Sequence, residues 1–196
     1  TEVSLGCYMF TVEFGVPQSE ANAILDYAFS HGINFADTAE MYGFGEGEEL
    51  LGRALRRHKR KKILVSTKVG YPDRTVSRNQ GDAACRNEEA LRRMIDHSFW
   101  LLQRDFIDIL MIHEPNNENW WQLDRKTGDA AVTRVLEDYK KRGQIGAIGL
   151  GGWDCNHMAD MIETGRFDVA LVAGGYTLVH QTVKERVVPA AKKYNV

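Results

Sequence analysis

The chain has 196 residues, 25 basic and 27 acidic, for a net charge of −2; that is length enough for one sizeable core, and too little charge to expect nucleic acid or an anionic membrane as a partner. Its three cysteines stand far apart at positions 7, 85 and 155 with no CxxC pair, which argues against a disulfide framework or zinc cage and fits a reducing compartment. No apolar run approaches a membrane span and the opening TEVS has no signal-peptide character, so a soluble cytoplasmic protein is expected.

In chain order, residues 3–10 (VSLGCYMF) read as an opening strand. Pro17 suits the first turn of a helix whose apolar face is Ala21, Ile24, Leu25, Ala28 and Phe29, and Gly32 stops it. A short buried strand over 34–36 ends at Asp37-Thr38, and Tyr42 follows in a loop broken by Gly43, Gly45 and Gly47. Leu50, Leu51, Ala54 and Leu55 repeat at helical spacing. The basic run over 56–62 (RRHKRKK) reads as a solvated helix end whose cations complement the dipole, in preference to a polyanion site.

An apolar strand over 63–67 ends at Lys68-Val69-Gly70, and residues 71–86 then show no period, as a functional or mobile loop would. Asn87 caps a third helix, with Glu88 and Glu89 in its first turn and Leu91, Met94, Ile95, Ser98, Phe99 and Leu102 inward. A strand over 107–112 ends at His113-Glu114-Pro115, and a loop carrying Trp120 and Trp121 follows. Val132, Val135, Leu136 and Tyr139 mark the next helix, stopped by Gly143. A strand over 147–150 leads into Gly151-Gly152-Trp153-Asp154, then come a short helix closed by Gly165, a strand over 169–173 and a helix from 183 to 194.

Strand and helix thus alternate six times, and the strands are apolar on both faces, as parallel strands covered by helices should be. Right-handed crossovers between neighbours curl such strands one way, toward a (β/α)8 barrel. A closed barrel needs eight strands, so the expected domain, 1–196, is a TIM barrel of which six β/α units are present. An open doubly wound sheet would need a Gly-rich phosphate loop after its first strand, and Gly6-Cys7-Tyr8-Met9 is not one.

The ends of consecutive strands carry Asp37 with Tyr42, then Lys68, then His113, and in a parallel barrel these positions share one face. A lysine ammonium beside a phenol favours the phenolate, a carboxylate would orient that lysine, and the imidazole could bond the same substrate oxygen or pass a proton. Singly, each admits a structural role: Asp37 capping a turn, Tyr42 on a rim, Lys68 solvated, His113 a satisfied half-buried imidazole. Together they form a proton donor and acceptor for a carbonyl and its alcohol, with the hydride left to a cofactor. His113-Glu114-Pro115 is no metal signature, because no second histidine stands at ligand spacing. Glu114 could orient His113 or simply begin the loop.

Through GINFADTAEMYGFGEGEELLGRAL, STKVG, DILMIHEP and GAIGLGG, nearly the whole chain resembles the aldo-keto reductase family. The resemblance implies a catalytic tetrad of Asp37, Tyr42, Lys68 and His113, with Tyr42 as general acid/base and NADPH or NADH as cofactor, NADPH preferred. It places Gly6, Cys7, Asp37, Gly151, Gly152 and Tyr176 at the cofactor of an enzyme for a small carbonyl or sugar. By position, Tyr8 at the end of the first strand could touch substrate or the cofactor ribose. Trp120 and Trp121 after His113 could either stack on substrate or pin their loop by aromatic packing. Where the family commonly carries Ser-Asn this chain has Gly151-Gly152, and where it carries Gln this chain has Ala173. LVAGGYTL resembles the branch that oxidises aldoses at C1. The alternatives to a nicotinamide-dependent oxidoreductase are a non-catalytic cofactor-sensing protein on the same scaffold, and an isomerase or lyase.

Overall fold

Six parallel strands are hydrogen-bonded side by side in chain order, with helices covering one side of the curled sheet. A computed structural model describes residues 2–70 and 83–196, so most of the loop expected over 71–86 lies outside the described residues. The strands are β1 (Leu5–Gly6), β2 (Phe35–Asp37), β3 (Leu64–Val69), β4 (Ile107–His113), β5 (Ile145–Gly152) and β6 (Val169–Val172). The longer helices are α1 (Gln18–Ser30), α2 (Glu46–Arg57), α3 (Glu88–Leu102), α5 (Ala131–Lys141) and α6 (Cys155–Glu163), with a short α4 (Glu118–Trp121) after β4 and α7 (Val188–Tyr194) after β6. The arrangement is the six-unit part of a (β/α)8 barrel, as expected.

Local chemistry fixes the helix ends. Glu46, Glu48 and Glu49 stand in the first turn of α2 and Arg56 and Arg57 in its last, both favoured by the helix dipole. Asn87 caps α3 by accepting from the Ala90 amide at 2.9 Å, and Asp154 caps α6 by accepting from Asn156 and His157, both at 3.0 Å. Leu25 and Phe29 of α1, Leu50 and Leu51 of α2, Leu91 and Ile95 of α3, and Val135 and Leu136 of α5 are fully or almost fully buried against the sheet. Gly52 lets α2 and α3 meet: a Cβ there would stand 2.3 Å from the Leu101 carbonyl oxygen.

Three elements differ from the sequence reading. The opening strand is only two residues long, because Tyr8 and Met9 are exposed at the rim and turn into a 3-10 helix (Tyr8–Phe10). Ile24 lies on the α1 face turned from the sheet, 38% exposed. The final helix opens with a π-helical turn (Val183–Val187) just ahead of Pro189, which has no N–H with which to continue an α-helical ladder.

Candidate active site

The register of the sheet brings the strand-end residues together. Asp37 pairs with Ser66, and His113 with Gly151. The period of two then points Ser66 and Lys68 to the same side of β3. Thr67 points the other way, into the helix layer, where its hydroxyl donates to the buried Glu48 carboxylate at 2.6 Å.

Lys68 is the hub. Its side chain is 2% exposed, and Nζ donates to Asp37 Oδ2 at 2.7 Å, to the Thr38 carbonyl at 2.8 Å and to the Tyr42 hydroxyl at 3.1 Å. Those three acceptors match the three N–H donors of an ammonium. The second Asp37 oxygen, Oδ1, accepts from the Ser66 hydroxyl at 2.7 Å. The buried ion pair is therefore hydrogen-bonded on both partners, the condition under which burying charge is tolerable.

Tyr42 reaches this hub from the turn between β2 and α2. Gly43, Phe44 and Gly45 all adopt positive φ there (62°, 57° and 93°). Gly43 packs so close to Thr11 that a Cβ would stand 2.8 Å from the threonine Cβ. The phenol is half-buried. Tyr8 meets it edge-on at 4.8 Å between centroids, and the His113 ring meets it at 5.9 Å with an interplanar angle of 82°.

Burial raises the Tyr42 pKa above its ordinary value; the charge and hydrogen bond of Lys68 pull it back without prevailing, and Asp37 adds a smaller upward push. Lys68 does favour the phenolate, as the sequence leads one to expect, but desolvation, which the sequence does not show, outweighs it. Tyr42 keeps its proton at neutral pH. Burial, aided by the Lys68 charge, holds His113 down at about 3, so its ring is neutral there.

Other expected site residues divide by placement. Tyr8 is 44% exposed beside Tyr42, and Trp120 is half-buried. Trp121 is 1% exposed, with its indole N–H donating to the His113 and Glu114 carbonyls at 2.9 and 3.2 Å. Its ring also covers Gly70, where a Cβ would stand 2.7 Å from Cζ2. That burial corrects the substrate reading of Trp121 in favour of its alternative, packing that pins the loop, with the ring behind His113. Cys7 also changes role. It is 1% exposed, its amide donates to the Asp37 carbonyl at 2.8 Å, and burial pushes its thiol up to about 12, so it braces Asp37 and presents no thiol to a cofactor. Gly6 is exposed, Gly151 and Gly152 are buried at the end of β5, and Tyr176 is 67% exposed.

Ser66 and the Thr38 carbonyl went unrecognised in the sequence. Ser66 stands two residues before Lys68 on the same strand, a spacing that could have identified it.

A barrel sheet with these four side chains at its carboxyl-terminal end has clear relatives. The profile of the Aldo/keto reductase family matches residues 2–196, and the chain belongs to that family. It is 30% identical to a pyridoxal 4-dehydrogenase of Microbacterium luteolum, over 91% of this chain and 59% of that protein. It is 31% identical to a D-threo-aldose 1-dehydrogenase of a Pseudomonas species, over 87% of this chain and 55% of that protein. Its fold superimposes on an aldo/keto reductase from Klebsiella pneumoniae in complex with NADP and acetate with a TM-score of 0.73, at 20% identity, over 98% of this chain and 60% of that one. The chain thus spans about half the length of the curated relatives it matches. Among the described residues no helix is long and apolar enough to cross a membrane.

Proposed function

We propose that this chain carries the proton-handling machinery of a nicotinamide-dependent oxidoreductase acting on a carbonyl/alcohol pair, with Tyr42 as general acid in reduction and general base in oxidation. The observation that carries the proposal is the single Lys68 ammonium bonded at once to Asp37 Oδ2 (2.7 Å) and the Tyr42 hydroxyl (3.1 Å). In reduction the protonated phenol gives its proton to the carbonyl oxygen as that oxygen gains charge. Lys68 then stabilises the phenolate left behind, and Asp37 and Ser66 hold Lys68 in place. The neutral His113 donates a hydrogen bond to the same oxygen and orients the substrate.

The cofactor, when bound, supplies the hydride that no side chain can. The residues present fit a nicotinamide nucleotide in part. A cavity of about 680 Å3 opens at the carboxyl ends of β5 and β6, lined by Trp153, Ala173, Gly174, Gly175, His180 and Thr182. Gly151 and Gly152 would hold the cofactor by their backbone, with Tyr176 and Gly6 at its margins. NADPH is the preferred form. The sugar wording of LVAGGYTL and the D-threo-aldose 1-dehydrogenase relative support an aldose or small aldehyde as substrate, seated against Tyr8 and Trp120.

The test is Tyr42→Phe in the full-length protein. Turnover of an aldehyde and aldose panel should fall by about 10²–10⁴-fold, with the circular dichroism spectrum unchanged. A phenylalanine variant that keeps the wild-type rate would overturn the assignment.

A further inference from the structure

The basic run after α2 finds no use in the redox chemistry, because it lies at the opposite end of the barrel. Lys68 stands near the carboxyl end of β3, whereas Ile63 precedes that strand, which puts roughly 15 Å between them at a strand rise of about 3.3 Å per residue. At this amino-terminal face a cleft of about 460 Å3 is walled by Arg56, Lys59, Lys61, Lys62 and Arg104, with Phe106 on one side.

The helix dipole explains Arg56 alone among these cations, since the lysines follow the end of α2 and Arg104 follows α3. Asp108, the cleft's carboxylate, already accepts from the Val65 amide at 2.9 Å and lies 3.5 Å from Arg104. Arg56, Lys59 and Lys62 have no carboxylate partner among the described residues. Elsewhere arginines are typically paired: Arg57 with Asp26, Arg134 with Glu88 and Asp129, Arg166 with Glu137. On a chain of net charge −2, unneutralised cations gathered around a concavity are an anion-binding feature.

A second cavity of about 500 Å3 adjoins the first, sharing Gln103 and Arg104 with it. Trp100 lines it, 70% exposed and stacked on His97 at 5.7 Å and 14°. Asp105 lines it too, as does Glu49, whose Oε1 already accepts from Arg53 at 2.9 Å. One lobe is therefore cationic, and its neighbour offers a flat aromatic face with carboxylates.

We propose that this two-lobed cleft binds a nucleoside polyphosphate, its phosphates over Arg56, Lys59 and Lys62 and its base against Trp100. Phosphate oxygens satisfy the unpaired cations. An exposed indole stacks on any base, and Asp105 beside it accepts from an exocyclic amine, which selects adenine, guanine or cytosine over uracil. The carboxylates of this lobe repel phosphate, so a short ligand fits and a continuing nucleic-acid backbone does not. The site is separate from the Tyr42 face and does not depend on the redox assignment.

Calorimetric titration of the full-length protein with ADP, tripolyphosphate and a single-stranded oligonucleotide, each with and without saturating NADPH, tests the proposal. ADP should bind saturably and resist displacement by NADPH. The Lys59→Glu/Lys62→Glu variant should lose at least tenfold in affinity for ADP and tripolyphosphate alike, whereas Trp100→Ala should weaken ADP at least threefold and spare tripolyphosphate. Absence of saturable ADP binding overturns the proposal. So does ADP binding that NADPH abolishes and the charge reversal leaves intact, which would locate the nucleotide at the cofactor place, and so does tighter binding of the oligonucleotide than of ADP.

Discussion

Gly151 packs against the stem of Lys68 so closely that a Cβ on it would stand 3.2 Å from both Cδ and Cε of the lysine. The family resemblance expects a serine here. Because Lys68 Nζ is tied to three acceptors, its stem cannot swing aside without loosening one of them.

Gly151→Ala should therefore destabilise by about 1 kcal/mol, the usual cost of overpacking a filled interior, and lower kcat about tenfold through displacement of the ammonium from Tyr42. Steady-state kinetics beside a thermal melt check both. An unchanged kcat would mean that Lys68 yields without disturbing the phenol.

The raised Tyr42 pKa sets the pH dependence of the proposed reaction. A phenol that keeps its proton through neutrality should give a reduction rate flat from pH 6 to 9. The reverse oxidation needs the deprotonated form and should climb steadily over the same interval. Measuring kcat in both directions at saturating cofactor separates the two profiles; parallel profiles would exclude Tyr42 as the shared proton carrier.

Glu48 predicts a stability effect. Burial pushes this carboxyl from 4.5 up to about 7, against the pull of the Thr67 hydroxyl bond. The unfolded chain ionises near 4.5 and the folded one near 7, so this group's contribution is complete below 4.5 and is lost as pH rises to about 7. Glu48→Gln removes the ionisation and keeps an acceptor for Thr67. The variant should match wild type near pH 4 and exceed it by about 3 kcal/mol at pH 8, as urea unfolding at both values would reveal.

His113 has the opposite sign. Its folded pKa of about 3 lies below the ordinary 6.5, so its contribution is full above 6.5 and drains away as pH falls toward 3. Trp121→Phe probes the same residue from behind. Losing the indole N–H that the His113 and Glu114 carbonyls accept should cost about 2 kcal/mol, or roughly 4–8 °C in Tm. If His113 shifts with it, KM for the carbonyl should rise in step.

Strand-end placement made Asp37, Tyr42, Lys68 and His113 legible in the sequence, because parallel β/α alternation fixes which end of each strand faces the site. A short-range rule also carried the cap at Asn87, since a cap needs only its own following turn. What escaped depends on several segments meeting. The burial of Trp121 follows from Gly70 lying opposite its ring, and the sign of the Tyr42 shift follows from how far the surroundings exclude water. Two residues being apolar neighbours in sequence, as Trp120 and Trp121 are, does not tell which of them turns inward.

The four side chains proposed to handle the proton all come from the segment between positions 37 and 113, and β5 adds Gly151 against the Lys68 stem. In the proposed reading the proton-handling groups and most of the cofactor place thus lie on separate stretches that meet at Lys68 and Gly151. Recombining the downstream half with that of a member carrying a side chain at position 151 would therefore press on the Lys68 stem, and a chimera joined just before β5 should keep glycine there.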